Sequence, residues 1–115
     1  MRRGEIWWAA LEVPSGSEPG YRRPVVIVSN NLFNERDLRT VLTVPLTSNL
    51  SREAAPGNVR LPHRDTGLRK TSVAIGIQIA STDKRSLLQR IGRVPDSVMS
   101  NIDDALRLVL ALSPG

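Results

Sequence analysis

Two short segments carry the side chains that acid–base and phosphate chemistry require. In Gly16-Ser17-Glu18-Pro19-Gly20-Tyr21-Arg22-Arg23-Pro24 a carboxylate, a hydroxyl, two guanidinium groups and a stackable aromatic gather at the mouth of an apolar run. Thr47-Ser48-Asn49 places a row of hydrogen-bonding side chains at the end of another. By composition alone the first also reads as an ordinary polar hairpin loop, and the second as simple turn chemistry. Other chemistries are excluded more firmly. With no Cys there is no disulfide scaffold, no thiol catalysis and no Cys-containing zinc site. One histidine, His63 in the polar stretch LPHRD, excludes a two-histidine acid/base pair and reads as a bystander. No phosphate-cradling Gly-rich loop and no Gly-x-Ser-x-Gly elbow occurs. Asp103 and Asp104 occupy successive helical positions, point in different directions and are expected to face solvent. They do not supply the converging carboxylates of a two-metal nuclease. Chemistry on nucleic acid would then be metal-free and cofactor-free, which favours RNA, whose 2′-OH is a built-in nucleophile. The protein must only orient that hydroxyl, stabilise a pentavalent phosphorane and manage two protons.

The charge pattern suits such a substrate. The chain has 115 residues, 16 Lys+Arg, 11 Asp+Glu and a formal net charge of +5. Most of the excess lies in 60–93, where Arg60, Arg64, Arg69, Lys70, Lys84, Arg85, Arg90 and Arg93 face only Asp65 and Asp83. Nearly all the cations are Arg, whose planar fork suits bidentate phosphate contacts. The excess fits either a solvated surface or a polyanion partner, nucleic acid first. No apolar run approaches the roughly 20 residues of a membrane span, and the start, MRRGEIWW, turns polar too early for a signal peptide. A cytoplasmic protein of one domain over residues 1–115 is expected.

The elements that must position these residues are short. Glu5–Leu11 reads as a strand, Val13–Arg23 as a long Pro/Gly/Ser-rich loop, and Pro24–Ser29 as a strand apolar on both faces. Asn31–Asp37 reads as a helical turn, and Thr40–Leu46 as a strand whose Pro45 marks an edge or bulge. Thr47–Asn58 reads as a polar loop, with Val59–Leu61 a short strand after it. Lys70–Ala80 alternates cleanly as a strand, with Val73, Ile75, Ile77 and Ile79 on one face and small residues on the other. A turn over Asp83–Gln89 and a strand over Arg90–Val94 follow. Val98, Met99, Ile102, Ala105, Leu106, Val109 and Leu110 then mark an amphipathic helix from about Asp96 to Leu112. Asp96 or Ser97 is the expected N-cap, and Asp103→Arg107 an expected i,i+4 pair. The class is mainly β (β+α): a small, strongly bent antiparallel sheet or barrel with one C-terminal helix. No helix of crossover length supports a parallel sheet.

Several blocks are less generic. Arg3-Gly4-Glu5-Ile6-Trp7, then Gly16-Ser17-Glu18 followed by Arg23-Pro24-Val25-Val26-Ile27-Val28-Ser29-Asn30, resembles the MazF/PemK family of toxin endoribonucleases, the mRNA interferases of type II toxin–antitoxin systems. Val44-Pro45-Leu46-Thr47-Ser48-Asn49, Gly67-Leu68, Gln78-Ile79 with Thr82-Asp83-Lys84, Ile91-Gly92-Arg93 and the closing helix extend the resemblance, in order, over essentially the whole chain. It implies an SH3-like barrel, a homodimer with active sites near the subunit interface, and metal-independent cleavage of single-stranded RNA to 2′,3′-cyclic phosphate and 5′-hydroxyl ends. It implies an acidic, partly disordered, MazE-like antitoxin as partner. The family's catalytic Arg falls on Arg23 and its catalytic Thr on Thr47. Glu18 matches a functional loop carboxylate, and Ser17 a hydroxyl near the scissile phosphate. RNA contacts are expected from Ser17, Tyr21, Arg22, Ser48, Asn49 and Gln78.

Physical chemistry constrains the roles. An arginine side chain is effectively never deprotonated near neutral pH, so Arg23 is read as a phosphorane clamp and proton donor rather than a base. Thr47 and Ser17 then position phosphate oxygens, while Glu18 is a candidate base or a residue that orients Arg23. Pro19 and Tyr21 depart from the family pattern, which often has Gln after the loop Glu and Gly-Gly before the Arg. Tyr21 either stacks on a base or covers the barrel mouth. Two other classes stand beside the nuclease: a non-catalytic, protein-binding toxin like the gyrase poison CcdB, which shares the architecture, and a non-catalytic RNA-binding barrel. The Arg23-Pro24 and Thr47-Ser48 blocks favour the nuclease over the first. The scarcity of aromatics, Trp7, Trp8, Tyr21 and Phe33, counts against the second.

Overall fold

Alternating residues on the central strands feed two apolar cores, one on each side of a single antiparallel sheet. The computed structural model describes residues 1–11 and 21–113. Among these, the strands are β1 (Glu5–Leu11), β2 (Tyr21–Ile27), β3 (Thr40–Thr47), β4 (Asn58–Leu61), β5 (Ser72–Ile75), β6 (Ala80–Asp83) and β7 (Leu87–Arg93). Two helices accompany them, α1 (Asn31–Asn34) and α2 (Asp96–Leu110). The strands run β4-β5-β3-β2-β1-β7, and β6 also pairs with β3. The mainly-β class with a C-terminal helix is the one expected. The sheet is open, with its end strands β4 and β7 not joined by a ladder.

The register Ile6↔Val26↔Val44 puts these three side chains on one face, together with Leu46 two residues on. They form the larger core with Met99 and Ile102 of α2. The intervening residues Ala9, Val25, Ile27 and Val41 turn to the other face and pack with Leu87. Each Ile or Val fully buried in this way stabilises the fold by roughly 1.5–3 kcal/mol relative to exposure.

Packing holds α2 more than its expected local contacts do. Its N-cap is Pro95, and neither Asp96 nor Ser97 makes a side-chain cap. The fixed proline φ sets the chain's entry instead. Asp103 does not pair with Arg107. It accepts from Arg3, whose Nε also donates to the Val28 carbonyl at 3.0 Å, so the fork is already anchored beside it. Arg107 turns one residue along and donates to Asp104 at 2.7 Å. The helix ends at Leu110 rather than Leu112. Ala111 adopts a left-handed conformation, and the Leu112 N–H donates to the Arg107 carbonyl at 2.8 Å, the Schellman pattern.

Other boundaries shift for identifiable reasons. Tyr21, Arg22 and Arg23 belong to β2, paired with Leu11, Ala10 and Ala9 of β1, not to a loop. The alternating run 70–80 is not one strand. It breaks at Gly76, where the chain comes so close to Gly57 that an added Cβ would lie 2.3 Å from the Gly57 carbonyl oxygen. A 3-10 turn over Gly76–Gln78 follows, leaving Ile77 exposed, before β6 begins. The expected polar loop after Thr47 contains a 3-10 turn, Leu50–Ala54, capped by the Asn49 side chain.

Candidate active site

A fork in the sheet creates the site. β2 and β3 pair at Ile27↔Thr43, Val26↔Val44 and Val25↔Pro45, and there their ladder stops. Pro24 and Pro45 have no N–H with which to extend it. β2 continues against β1 as far as Tyr21, whereas Leu46 and Thr47 of β3 turn to pair with Ala74 and Val73 of β5. Carrying the broken register two residues further sets Arg23 opposite Thr47 across the gap.

The gap opens into a cleft of about 460 Å³ whose walls include Arg22, Arg23, Thr47 and Ser48. Its apolar floor is Trp8, Pro24, Leu46, Leu68 and Ile91. Trp8, Pro24 and Leu46 lie on the same sheet face as the larger core, so the floor continues that core past its covered part. From the opposite side the β4–β5 connection brings Arg69 and Lys70 to the rim.

Two of the polar groups are held in place. The Thr47 hydroxyl accepts from the Asn49 N–H at 3.2 Å, which leaves its own O–H free to donate into the cleft. The Arg23 guanidinium carbon lies 5.5 Å from the Tyr21 ring centroid, a cation–π contact on a half-buried arginine. The four cleft cations, Arg22, Arg23, Arg69 and Lys70, form no ion pair with any carboxylate of the described residues. The ion pairs found there all involve other arginines. Among the described residues the cleft therefore presents positive charge without a carboxylate partner, beside an apolar lining. Among the described residues, no three His, Asp or Glu side chains gather as metal ligands would.

The residues expected from sequence divide into three groups. Arg22, Arg23, Thr47 and Ser48 meet in the cleft, with Tyr21 beside Arg23. Asn49 and Gln78 are not among its walls: Asn49 caps the 3-10 turn by accepting from Ser51, and Gln78 is exposed on the turn after β5. Ser17 and Glu18, with Pro19, lie outside the described residues. His63 is not among the cleft walls, and its Nδ1 lies 3.1 Å from the Thr71 hydroxyl. Sequence reasoning missed Trp8, Leu68, Arg69 and Lys70 as site residues. The charge excess over 60–93 already contained Arg69 and Lys70, but one-dimensional charge does not say which cations converge.

Known proteins resemble this chain in sequence and in fold. A family model for the PemK-like, MazF-like toxins of type II toxin–antitoxin systems matches residues 2–110. Endoribonuclease MazF6 of Mycobacterium tuberculosis is 44% identical over 112 residues, covering 97% of this chain and 98% of the relative. Endoribonuclease EndoA of Bacillus subtilis is 31% identical, covering 97% and 96%. A solved mycobacterial endoribonuclease in complex with its cognate antitoxin superposes with a TM-score of 0.82 at 27% identity, covering 100% of this chain and 99% of that one. By the family model that spans residues 2–110 and by these relatives, the chain belongs to the PemK-like, MazF-like toxin family of type II toxin–antitoxin systems.

Proposed function

We propose that the protein is a metal-independent endoribonuclease toxin that cleaves single-stranded RNA by attack of the 2′-OH on the adjacent phosphorus. The P–O5′ bond breaks, giving a 2′,3′-cyclic phosphate and a 5′-hydroxyl. The observation that carries this reading is the placing of Arg23 across the fork from Thr47, in a cleft whose cations have no described acidic partner. Arg23 neutralises the phosphorane and donates toward the departing O5′. Thr47 donates its O–H to a non-bridging oxygen, its own oxygen being oriented by the Asn49 N–H. Ser48 and Arg22 contact flanking phosphates, and Ser17 a further phosphate oxygen. Glu18 takes the 2′-OH proton as base, or orients Arg23 while solvent water takes that proton. Tyr21 is available to stack on a base while it steadies Arg23.

The names of the relatives, endoribonucleases and one of them bound to a cognate antitoxin, support the same assignment. An acidic MazE-like antitoxin would neutralise the basic cleft and cover it. A homodimer is supported by the exposed apolar side chains Phe33, Leu42, Leu110 and Leu112, gathered about α1, β3 and the end of α2. No helix of the described residues is long and apolar enough to cross a membrane, and we place the toxin in the cytoplasm with its RNA.

Purified protein incubated with a long unstructured RNA in EDTA tests the reading. Discrete cuts ending in cyclic phosphate are expected. Binding without cuts would leave a non-catalytic RNA-binding barrel, and neither binding nor cuts a protein-binding toxin.

A further inference from the structure

We infer that Trp8, with Leu68, forms a nucleobase subsite in the cleft, and that Arg69 and Lys70 grip the phosphate flanking the seated base. This rests on the nuclease reading for the identity of the polymer, but its residues lie outside the reacting group.

The two tryptophans of β1 are treated differently by the fold. Trp7 turns to the smaller core, half-buried, and its Nε1–H donates to Glu5 Oε1 at 3.0 Å. Trp8 turns to the opposite face, where α2 does not reach it, and remains 39% exposed with its ring on the cleft. Its indole N–H has no hydrogen-bond partner among the described residues. An open indole costs hydrophobic stabilisation, so packing does not explain its position. The cleft couples that flat apolar surface to four cations, and its volume of about 460 Å³ is in the range of sites for molecules of nucleotide size. A single-stranded nucleotide is both planar-apolar and anionic, and aromatic stacking beside a cationic track is how such strands are held.

The opposite wall is preformed. Thr66 is fully buried, and its hydroxyl donates to the His63 carbonyl at 2.8 Å and accepts from the Leu68 N–H at 3.2 Å. Gly67 takes φ +82°, and a Cβ there would lie 2.4 Å from the Ile91 carbonyl oxygen. The loop is thus clamped directly onto β7, which fixes the backbone that leads through Leu68 to Arg69 and Lys70. An open indole, Leu68 and two cations lining one cleft, with Leu68 on a clamped loop, suit one base and its phosphate.

Intrinsic fluorescence provides the test. In a Trp7→Phe background Trp8 is the sole tryptophan, and the probe is a random-sequence 2′-O-methyl RNA 12-mer, which cannot undergo 2′-OH attack. Binding is followed independently by anisotropy of an end-labelled copy. Saturation with the 12-mer is expected to quench and shift Trp8 emission. Trp8→Ala should weaken binding by about 5- to 150-fold, the span of one base stack, while Trp8→Phe retains most of it. Arg69→Ala with Lys70→Ala should lower the slope of log affinity against log salt by about 0.7 for each phosphate that is no longer neutralised. Silent Trp8 emission at saturation, or Trp8→Ala binding as well as wild type while folded by circular dichroism, overturns the subsite and leaves the nuclease reading standing. Quenching without cleavage of natural RNA supports the subsite and removes the nuclease reading. Absence of 12-mer binding by wild type overturns the subsite.

Discussion

Gly92 of β7 lies so close to Thr66 that a Cβ built on it would sit 1.9 Å from the Thr66 carbonyl oxygen. This close approach, with Gly67 against Ile91, joins the loop after β4 to β7, although β4 and β7 share no ladder. A wall of the cleft therefore depends on two positions where no side chain fits.

Gly92→Ala is expected to destabilise the protein by at least about 1–3 kcal/mol, since backbone and not a flexible side chain must give way. Tm should fall by about 4 °C or more. The displaced loop should also weaken RNA binding beyond what the reduced stability accounts for. Thermal unfolding with a binding titration below Tm checks both, and an unchanged Tm would show that the close approach does not exist in solution.

Arg23→Ala should lower single-turnover RNA cleavage by about 100- to 1,000-fold, as loss of a transition-state donor does. Its circular dichroism spectrum should match wild type, because Arg23 belongs to neither core. Full activity in the variant would remove Arg23 from the chemistry.

Thr47→Val deletes the hydroxyl that accepts from Asn49 and faces the cleft, and is expected to cost roughly 100-fold in rate. Thr47→Ser should recover most of it. Equal rates for Val and Ser would mean that the hydroxyl does not participate.

Asp103 and Asp104 should separate on mutation. Asp103→Ala strands a half-buried Arg3 and is expected to cost about 1–2 kcal/mol, less than a fully buried charged hydrogen bond because the pair is partly solvated. Asp104→Ala removes an exposed i,i+3 pair and should change stability by no more than about 0.5 kcal/mol. Urea unfolding of the two variants reads the difference, and equal losses would contradict the observed partners.

Burial works against ionisation of Glu5. Donation from the Arg2 N–H at 2.9 Å and from Trp7 Nε1 at 3.0 Å, with Arg90 at 3.5 Å, nevertheless holds its carboxyl below the ordinary value of 4.5. A lowered folded value means stability that is present above the unfolded value and lost as pH falls through the folded one. Glu5→Gln should therefore be less stable than wild type at pH 7, by a margin that shrinks as the pH is taken from 7 down to 3. Unfolding midpoints at the two pH values decide it, and parallel curves would refute the linkage.

Much of this molecule is legible in one dimension. The strand Glu5–Leu11 has the expected bounds, and α2 follows from its three- and four-residue spacing, because both periods arise from local backbone geometry. Arg23 and Thr47 stand out by residue type and by the resemblance of their flanking blocks, and both reach the cleft. The break at Gly76 escapes a pattern reading, since alternation continues through Ile77 and Ile79 while the close approach to Gly57 ends the strand. Asp103 finds Arg3 rather than Arg107, since a partner a hundred residues away leaves no trace in helical spacing.

Residue types alone determined the kinds of chemistry open to this protein: no thiol, one imidazole, many guanidiniums and a strand-end hydroxyl. They also determined the class of fold, because apolar period is set by the element that carries it. Only the tertiary structure decided which cations meet. The cleft exists where β2 and β3 cease to pair and β3 turns to β5, and its far wall is a loop held by the backbones of Gly67 and Gly92. Such junctions bring together positions twenty or more residues apart through excluded volume and ladder geometry, and neither is encoded in the neighbours of a residue along the chain.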